Sequence, residues 1–261
     1  MTGKIVSIGG IQFWYTERGA GLPVVMVHGN TGSCRWFSRV MDLPGCRTIA
    51  LDMPNFGRSG PLPGELNIEA YADRVADFIS AICFERPVLV AHSLGGAVAI
   101  SLAIRNPGSL RGLVLVDSAG PAGLVTPKDR YPLIESMRTN RDFLSSALSG
   151  VVPTLNDKEF FQELVNDAAL MAAPAWVGNA RALSVFDYRG RCVAFQQPVL
   201  VLWGRKDLIV TEETARETAA AFPKARLVIL ENVGHSVVVE DPSGFTKLLA
   251  EFISGLVKEG V

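Results

Sequence analysis

The chain has 261 residues, with 25 Lys and Arg against 26 Asp and Glu and a formal net charge of −1. That balance excludes a large electrostatic footprint for nucleic acid or an anionic membrane surface. A hydrophobic share of 48% with 20% charged residues excludes a disordered chain, and the length admits one large α/β domain or two small ones.

Short apolar runs alternate with helix-length segments, the pattern of a wound, mostly parallel sheet. Ile5–Ile8 and Gln12–Glu17, joined by Gly9-Gly10, read as an opening hairpin. Val24–Val27 and Thr48–Leu51 are the next strands, ending at His28-Gly29 and Asp52. Apolar residues at Ile68, Tyr71, Val75, Phe78, Ile79 and Ile82 have a helical period, with Asn67 placed as N-cap. Val88–Ala91 is a buried strand leading into His92-Ser93-Leu94-Gly95-Gly96 and a small-residue helix to Arg105. Leu113–Val116, Val199–Trp203 and Arg226–Leu230 complete the strands, and runs so apolar fit a sheet covered by helices on both faces. Helices are expected over Thr211–Ala221 and from Pro242 to about Val257.

Between 120 and 190 the strands disappear. Three helical stretches are expected there, Pro132–Ser149, Asp157–Met171 and Ala175–Phe186, punctuated by Pro121, Pro127, Pro153 and Pro174. The segment reads as an all-helical insertion, giving a sheet core of 1–119 and 191–261 with a helical cap of 120–190. No window approaches the length of a membrane-spanning apolar run. Met1-Thr2-Gly3-Lys4 leads into strand-like sequence without a secretory core, and Cys34, Cys46, Cys83 and Cys192 form no CxxC pair. A cytoplasmic protein with free thiols is the expectation.

The chemistry concentrates on Val88–Gly96. A strand runs into Ser93 on a turn so sharp that small residues are needed around it, a nucleophile elbow with Ala91 in place of the usual first glycine. A serine hydroxyl needs a base. His235, in Asn232-Val233-Gly234-His235-Ser236, follows the last strand and lies at the same sheet edge; His28 and His92 stand at strand ends as loop supports. Asp207, after Gly204-Arg205-Lys206, is the preferred carboxylate, with Asp117 its competitor directly after a neighbouring strand. The order Ser93, Asp207, His235 is the one this elbow architecture requires. Oxyanion donors are expected from the backbone N–H groups of Leu94 and Asn30, the latter in the loop His28-Gly29-Asn30-Thr31-Gly32.

Together these segments resemble the α/β-hydrolase fold superfamily, in particular its small cofactor-free members with a helical cap. Asp52-Met53-Pro54-Asn55-Phe56-Gly57-Arg58-Ser59 is similar to the family's D-x-P-G-x-G-x-S loop, with Asn55 where glycine is usual. The resemblance implies eight strands, a cap after the sixth and no cofactor; without an HxxxH or a cysteine cluster, no metal site is expected either. It disfavours members with an Asp nucleophile, because position 93 is Ser, and leaves esterases, lactonases and carbon–carbon bond hydrolases.

The cap carries Phe143, Phe160, Phe161, Met171, Trp176 and Phe186, which suggests an apolar pocket. Phe143, Trp176 and His28 are the expected pocket residues. Arg35, Arg138 and Arg181 are the basic candidates for anchoring a substrate carboxylate. The leading expectation is a serine carboxylesterase for small to medium apolar esters, working as a monomer or homodimer. A carbon–carbon hydrolase or enol-lactonase with the same three residues is the alternative, and a ligand-binding receptor with a vestigial triad is a third reading.

Overall fold

The computed structural model describes residues 3–258. Eight strands form one sheet: β1 (Lys4–Ile8), β2 (Ile11–Gly19), β3 (Leu22–Val27), β4 (Cys46–Leu51), β5 (Val88–His92), β6 (Gly112–Val116), β7 (Val199–Gly204) and β8 (Ala225–Leu230). Their spatial order is β1-β2-β4-β3-β5-β6-β7-β8. The β1–β2 and β2–β4 pairings are antiparallel and the remaining five are parallel. This is the mostly parallel, eight-stranded α/β sheet expected from the alternation of apolar runs and helices.

The order turns back on itself at β3, which lies between β4 and β5. Such a switch point opens a crevice at the carboxyl ends of the strands, where α/β sheets place their ligands. Every residue of β5, β6 and β7 is buried, which is why these strands are apolar on both faces. Helix α1 (Ile68–Ile82) begins where Asn67 Oδ1 accepts the Ala70 N–H at 2.7 Å, and it buries the periodic positions Ile68, Tyr71, Val75, Phe78 and Ile79. Helix α2 (Leu94–Arg105) follows β5 directly and is buried through Ile104.

Between β6 and β7 lie α3 (Tyr131–Met137), α4 (Arg141–Val151), α5 (Lys158–Ala168) and α6 (Ala175–Val185). The single helix expected over Pro132–Ser149 is therefore two. Asn140 adopts an extended conformation and its side chain accepts the Phe143 N–H at 3.0 Å, capping a new helix where the old one would have continued. Helix α7 (Glu212–Ala221) separates β7 from β8; the one-turn α8 (Val237–Glu240) and α9 (Pro242–Lys258) close the chain. Among the described residues no helix is long and apolar enough to cross a membrane.

Candidate active site

Ser93 sits between the last residue of β5 and the first of α2 with φ 53° and ψ −117°, a backbone conformation that costs energy for any residue other than glycine. The surroundings hold it there. Its N–H donates to Val116 O at 3.0 Å, and its carbonyl accepts from Gly96 at 2.9 Å and Ala119 at 3.1 Å. The turn works because α2 comes very close to the sheet: a Cβ on Gly95 would lie 2.5 Å from the His28 carbonyl oxygen, and one on Gly96 would lie 1.8 Å from Ser118 Oγ. Ala91, at the position where the usual pattern has glycine, is buried in β5. The N-terminal end of α2, with its partial positive charge, starts at the residue after the serine.

Asp207 and His235 arrive from the ends of β7 and β8. His235 Nε2 lies 2.9 Å from Ser93 Oγ, and His235 Nδ1 lies 2.8 Å from Asp207 Oδ2. The second oxygen of Asp207 accepts the N–H groups of Ile209 at 2.7 Å and Val210 at 3.0 Å, which fixes the carboxylate in its loop. The two loops touch so closely that a Cβ on Gly204 would meet Gly234 O at 2.1 Å. With Nδ1–H donated to Asp207, Nε2 is an unprotonated acceptor facing the serine hydroxyl.

Several residues that sequence reasoning did not assign to the site hold His235 in place. Glu240 Oε1 accepts the N–H groups of Gly234 and Ser236, the neighbours of His235 on either side, at 3.1 and 3.0 Å. His92 Nε2–H donates to the His235 carbonyl at 2.7 Å, and its ring stacks on Trp36. Burial, helped by the nearby His235, pushes the His92 imidazole down to about 3, so it stays neutral beside His235. The sequence signal for Glu240 is slight: one of two adjacent carboxylates, five residues after a histidine.

Asp117, the competing carboxylate, is fully buried but does not reach His235. Its oxygens accept the Gly204 N–H at 2.9 Å and the Val237 N–H at 3.1 Å, so it ties the segment before Asp207 to the segment after His235. Burial pushes its carboxyl up from 3.8 to about 7, against the pull of His235 and the two N–H donors, with Asp207 adding to the rise. Because the folded value is the higher one, the carboxyl favours folding below about pH 3.8, and that contribution is lost as pH rises through about 7. Relative to Asp117→Asn, the wild type is therefore expected to lose stability across this window and to level off above it. Urea unfolding of both proteins over a pH series measures it; equal pH slopes would contradict the assignment.

The loop after β3 turns between Gly29 and Gly32, with the Gly32 N–H donated to Gly29 O at 3.1 Å. Thr31 has φ 57°, a strained value for a β-branched residue. Asn30 and Leu94 both line the cavity that exposes Ser93, and among the described residues neither backbone N–H has a protein acceptor. This cavity measures about 320 Å³ and is walled by α3, α4, α6 and the strand ends, with Ser93 and His235 at its floor.

Of the expected pocket residues, only Trp176 lines it. His28 is turned into the core. Its Nδ1–H donates to Gly29 O at 2.8 Å and its Nε2 accepts the Met53 N–H at 3.0 Å, so both nitrogens are committed to joining two loops. Phe143 lies outside the cavity because the face of α4 that lines it carries Leu144, Ala147, Leu148 and Val151, one helical stripe. The other cap aromatics pack elsewhere: Phe160 lies under the Arg39 guanidinium and Phe186 stacks on Tyr188. Apart from Trp176, the apolar side chains of the wall are consequently aliphatic.

The chain matches the model of a family described as "Alpha/beta hydrolase family" over residues 24–248. It is 30% identical to the 2-hydroxy-6-oxo-2,4-heptadienoate hydrolase of Pseudomonas putida, over 97% of this chain and 96% of that protein. Lipase 1 of Psychrobacter immobilis is 28% identical, over 88% of this chain and 77% of its own length. An esterase from Exiguobacterium antarcticum superposes with a TM-score of 0.88 at 20% identity, covering 97% of this chain and 100% of that one. With the switch-point sheet and the strained serine after β5, the match over most of the sequence makes this chain a member of the alpha/beta hydrolase family.

Proposed function

We propose that the protein is a serine carboxylesterase for small to medium uncharged esters, with 120–190 acting as the cap over its site. The observation that carries this reading is the cavity: Ser93 opens into about 320 Å³ bounded by Leu124, Ile134, Met137, Leu144, Leu148, Val151 and Leu183, with no Arg, Lys, Asp or Glu in its wall. In the proposed reaction Ser93 Oγ attacks the ester carbonyl while His235 Nε2 takes its proton. The Asn30 and Leu94 N–H groups hold the oxyanion, and each is worth roughly 3 kcal/mol of barrier. His235 then protonates the departing alkoxide, and a water deprotonated by His235 releases the acid from the acyl-enzyme.

Carbon–carbon bond hydrolysis is the second reading, favoured by the 30% identity to the heptadienoate hydrolase. A dienoate carries a carboxylate that loses its water on entry and needs a cation in exchange. The basic candidates are engaged elsewhere. Arg35 bonds Asp167 and Glu163, Arg138 pairs with Glu135, and Arg181 lies over Tyr131. The test is one panel containing p-nitrophenyl acetate, butyrate, hexanoate and decanoate together with a 2-hydroxy-6-oxo-dienoate. The expected result is highest kcat/KM for butyrate or hexanoate. Faster turnover of the dienoate than of every ester would overturn the ester reading.

A further inference from the structure

Asn30 ends a buried chain of side-chain hydrogen bonds whose direction is set by one backbone group. Asn55, in the left-handed conformation at φ 72°, accepts the Leu62 N–H on its Oδ1 at 2.9 Å. A backbone N–H can only donate, so the amide orientation of Asn55 follows, and its Nδ2 donates to Tyr71 Oη at 3.2 Å. Burial pushes the Tyr71 phenol upward, which keeps its one proton in place, and that proton is donated to Asn179 Oδ1 at 3.0 Å. Asn179 must then present its nitrogen on the other side, where Nδ2 donates to Asn30 Oδ1 at 2.8 Å and approaches Met171 Sδ, which is an acceptor only. Asn30 Oδ1 is thereby taken.

What remains at the end of the chain is the Asn30 Nδ2 group, which has no protein acceptor among the described residues, on a residue that lines the cavity with Ser93. Tyr71 and Asn179 have no exposed surface, and Asn55 has 6%. Burying three polar side chains is costly unless they are satisfied. The chain also crosses four separate segments, the loop after β4, α1, α6 and the loop after β3. A helix anchor alone would not need to end on a residue that lines the cavity with Ser93.

We propose that Asn30 is a specificity-determining residue that donates its side-chain N–H to an oxygen on the carbon next to the scissile carbonyl, so that the preferred acyl groups are α-alkoxy, α-hydroxy or 2-oxo. This rests on the serine-ester reading of the same site. One asparagine then serves two atoms of one substrate. Its backbone N–H meets the carbonyl oxygen, and its side-chain amide meets the oxygen one carbon away. The largely apolar wall accepts the rest of the acyl chain.

The test uses two esters of equal length, p-nitrophenyl methoxyacetate and p-nitrophenyl butyrate, which differ by an oxygen in place of a methylene. The quantity read is the ratio of their kcat/KM values in wild type divided by the same ratio in Asn30→Leu, which cancels the intrinsic reactivity of the esters. A fall of about tenfold in the variant is expected, the worth of one hydrogen bond to a neutral group. Should Asn30→Leu fail to fold, Asn179→Leu carries the same test, because Asn30 then loses the donor that fixes its oxygen. An unchanged ratio in the folded variant overturns the proposal while leaving the ester reading intact. No turnover of either ester by wild type would overturn the ester reading, and the proposal with it.

Discussion

Replacing Ser93 with alanine is expected to lower kcat/KM for p-nitrophenyl butyrate by on the order of 10⁶-fold, leaving only what the oxyanion donors and the pocket supply. The size of the loss follows from the geometry. Ser93 Oγ is the atom that His235 Nε2 faces at 2.9 Å. Ser118, the nearby hydroxyl at the elbow, donates to the Ala119 carbonyl and is buried. It therefore does not inherit the role. Thermal unfolding of Ser93→Ala should match or exceed wild type, since alanine at φ 53° carries no greater strain than serine. Residual activity within tenfold of wild type would mean that turnover does not pass through this hydroxyl.

Asp207→Asn is expected to cost about 10⁴-fold in kcat at neutral pH, through the tautomer of His235. Oδ1 of residue 207 accepts two backbone N–H groups, from Ile209 and Val210, so the asparagine would keep its oxygen there and turn its nitrogen toward His235 Nδ1. That nitrogen donates. The imidazole proton is then driven to Nε2, which can no longer accept from Ser93. Asp117 does not compensate, because its oxygens are held by the N–H groups of Gly204 and Val237 and make no hydrogen bond to His235. A pre-steady-state burst of p-nitrophenol separates slow acylation from slow binding. A loss confined to KM would contradict the tautomer argument.

Much of the fold is legible in the chain because its strands are apolar on both faces and short. Val88–His92 and Gly112–Val116 differ from the sequence reading by a single residue each, and Ile68–Ile82 matches it at both ends. The spacing of Ser93, Asp207 and His235 was equally readable, since each follows a strand at the carboxyl edge of the sheet. What was not legible depends on packing between distant segments. The rotation of α4, which turns Phe143 away and Leu144 inward, is set by where α4 meets its neighbours. The commitment of both His28 nitrogens needs Met53, which comes 25 residues later. The split at Asn140 has a local signal, an Asn followed by Arg141 and Asp142 in a first turn, which the reading of one helix over Pro132–Ser149 passes over. The contact between Asn30 and Asn179 spans 149 residues, and no local pattern announces it.

That separation also explains why the pocket reads differently from the chemistry. The proposed reacting groups are held by backbone turns and by carboxylates that bind two or more N–H donors, features tied to motifs. The pocket wall comes from helices whose faces are chosen by tertiary contact. Substitutions in α3 and α4 should therefore alter which ester is preferred more than whether esters are cleaved.

The claim on which everything else depends is that Ser93 is an activated nucleophile. Incubating the protein with an alkyl fluorophosphonate and mapping the adduct by peptide mass spectrometry tests it directly. One phosphonyl group per chain on Ser93 is expected, with none on Ser93→Ala and markedly slower labelling of His235→Ala. No adduct on the folded wild type, or the same labelling in Ser93→Ala, would contradict it.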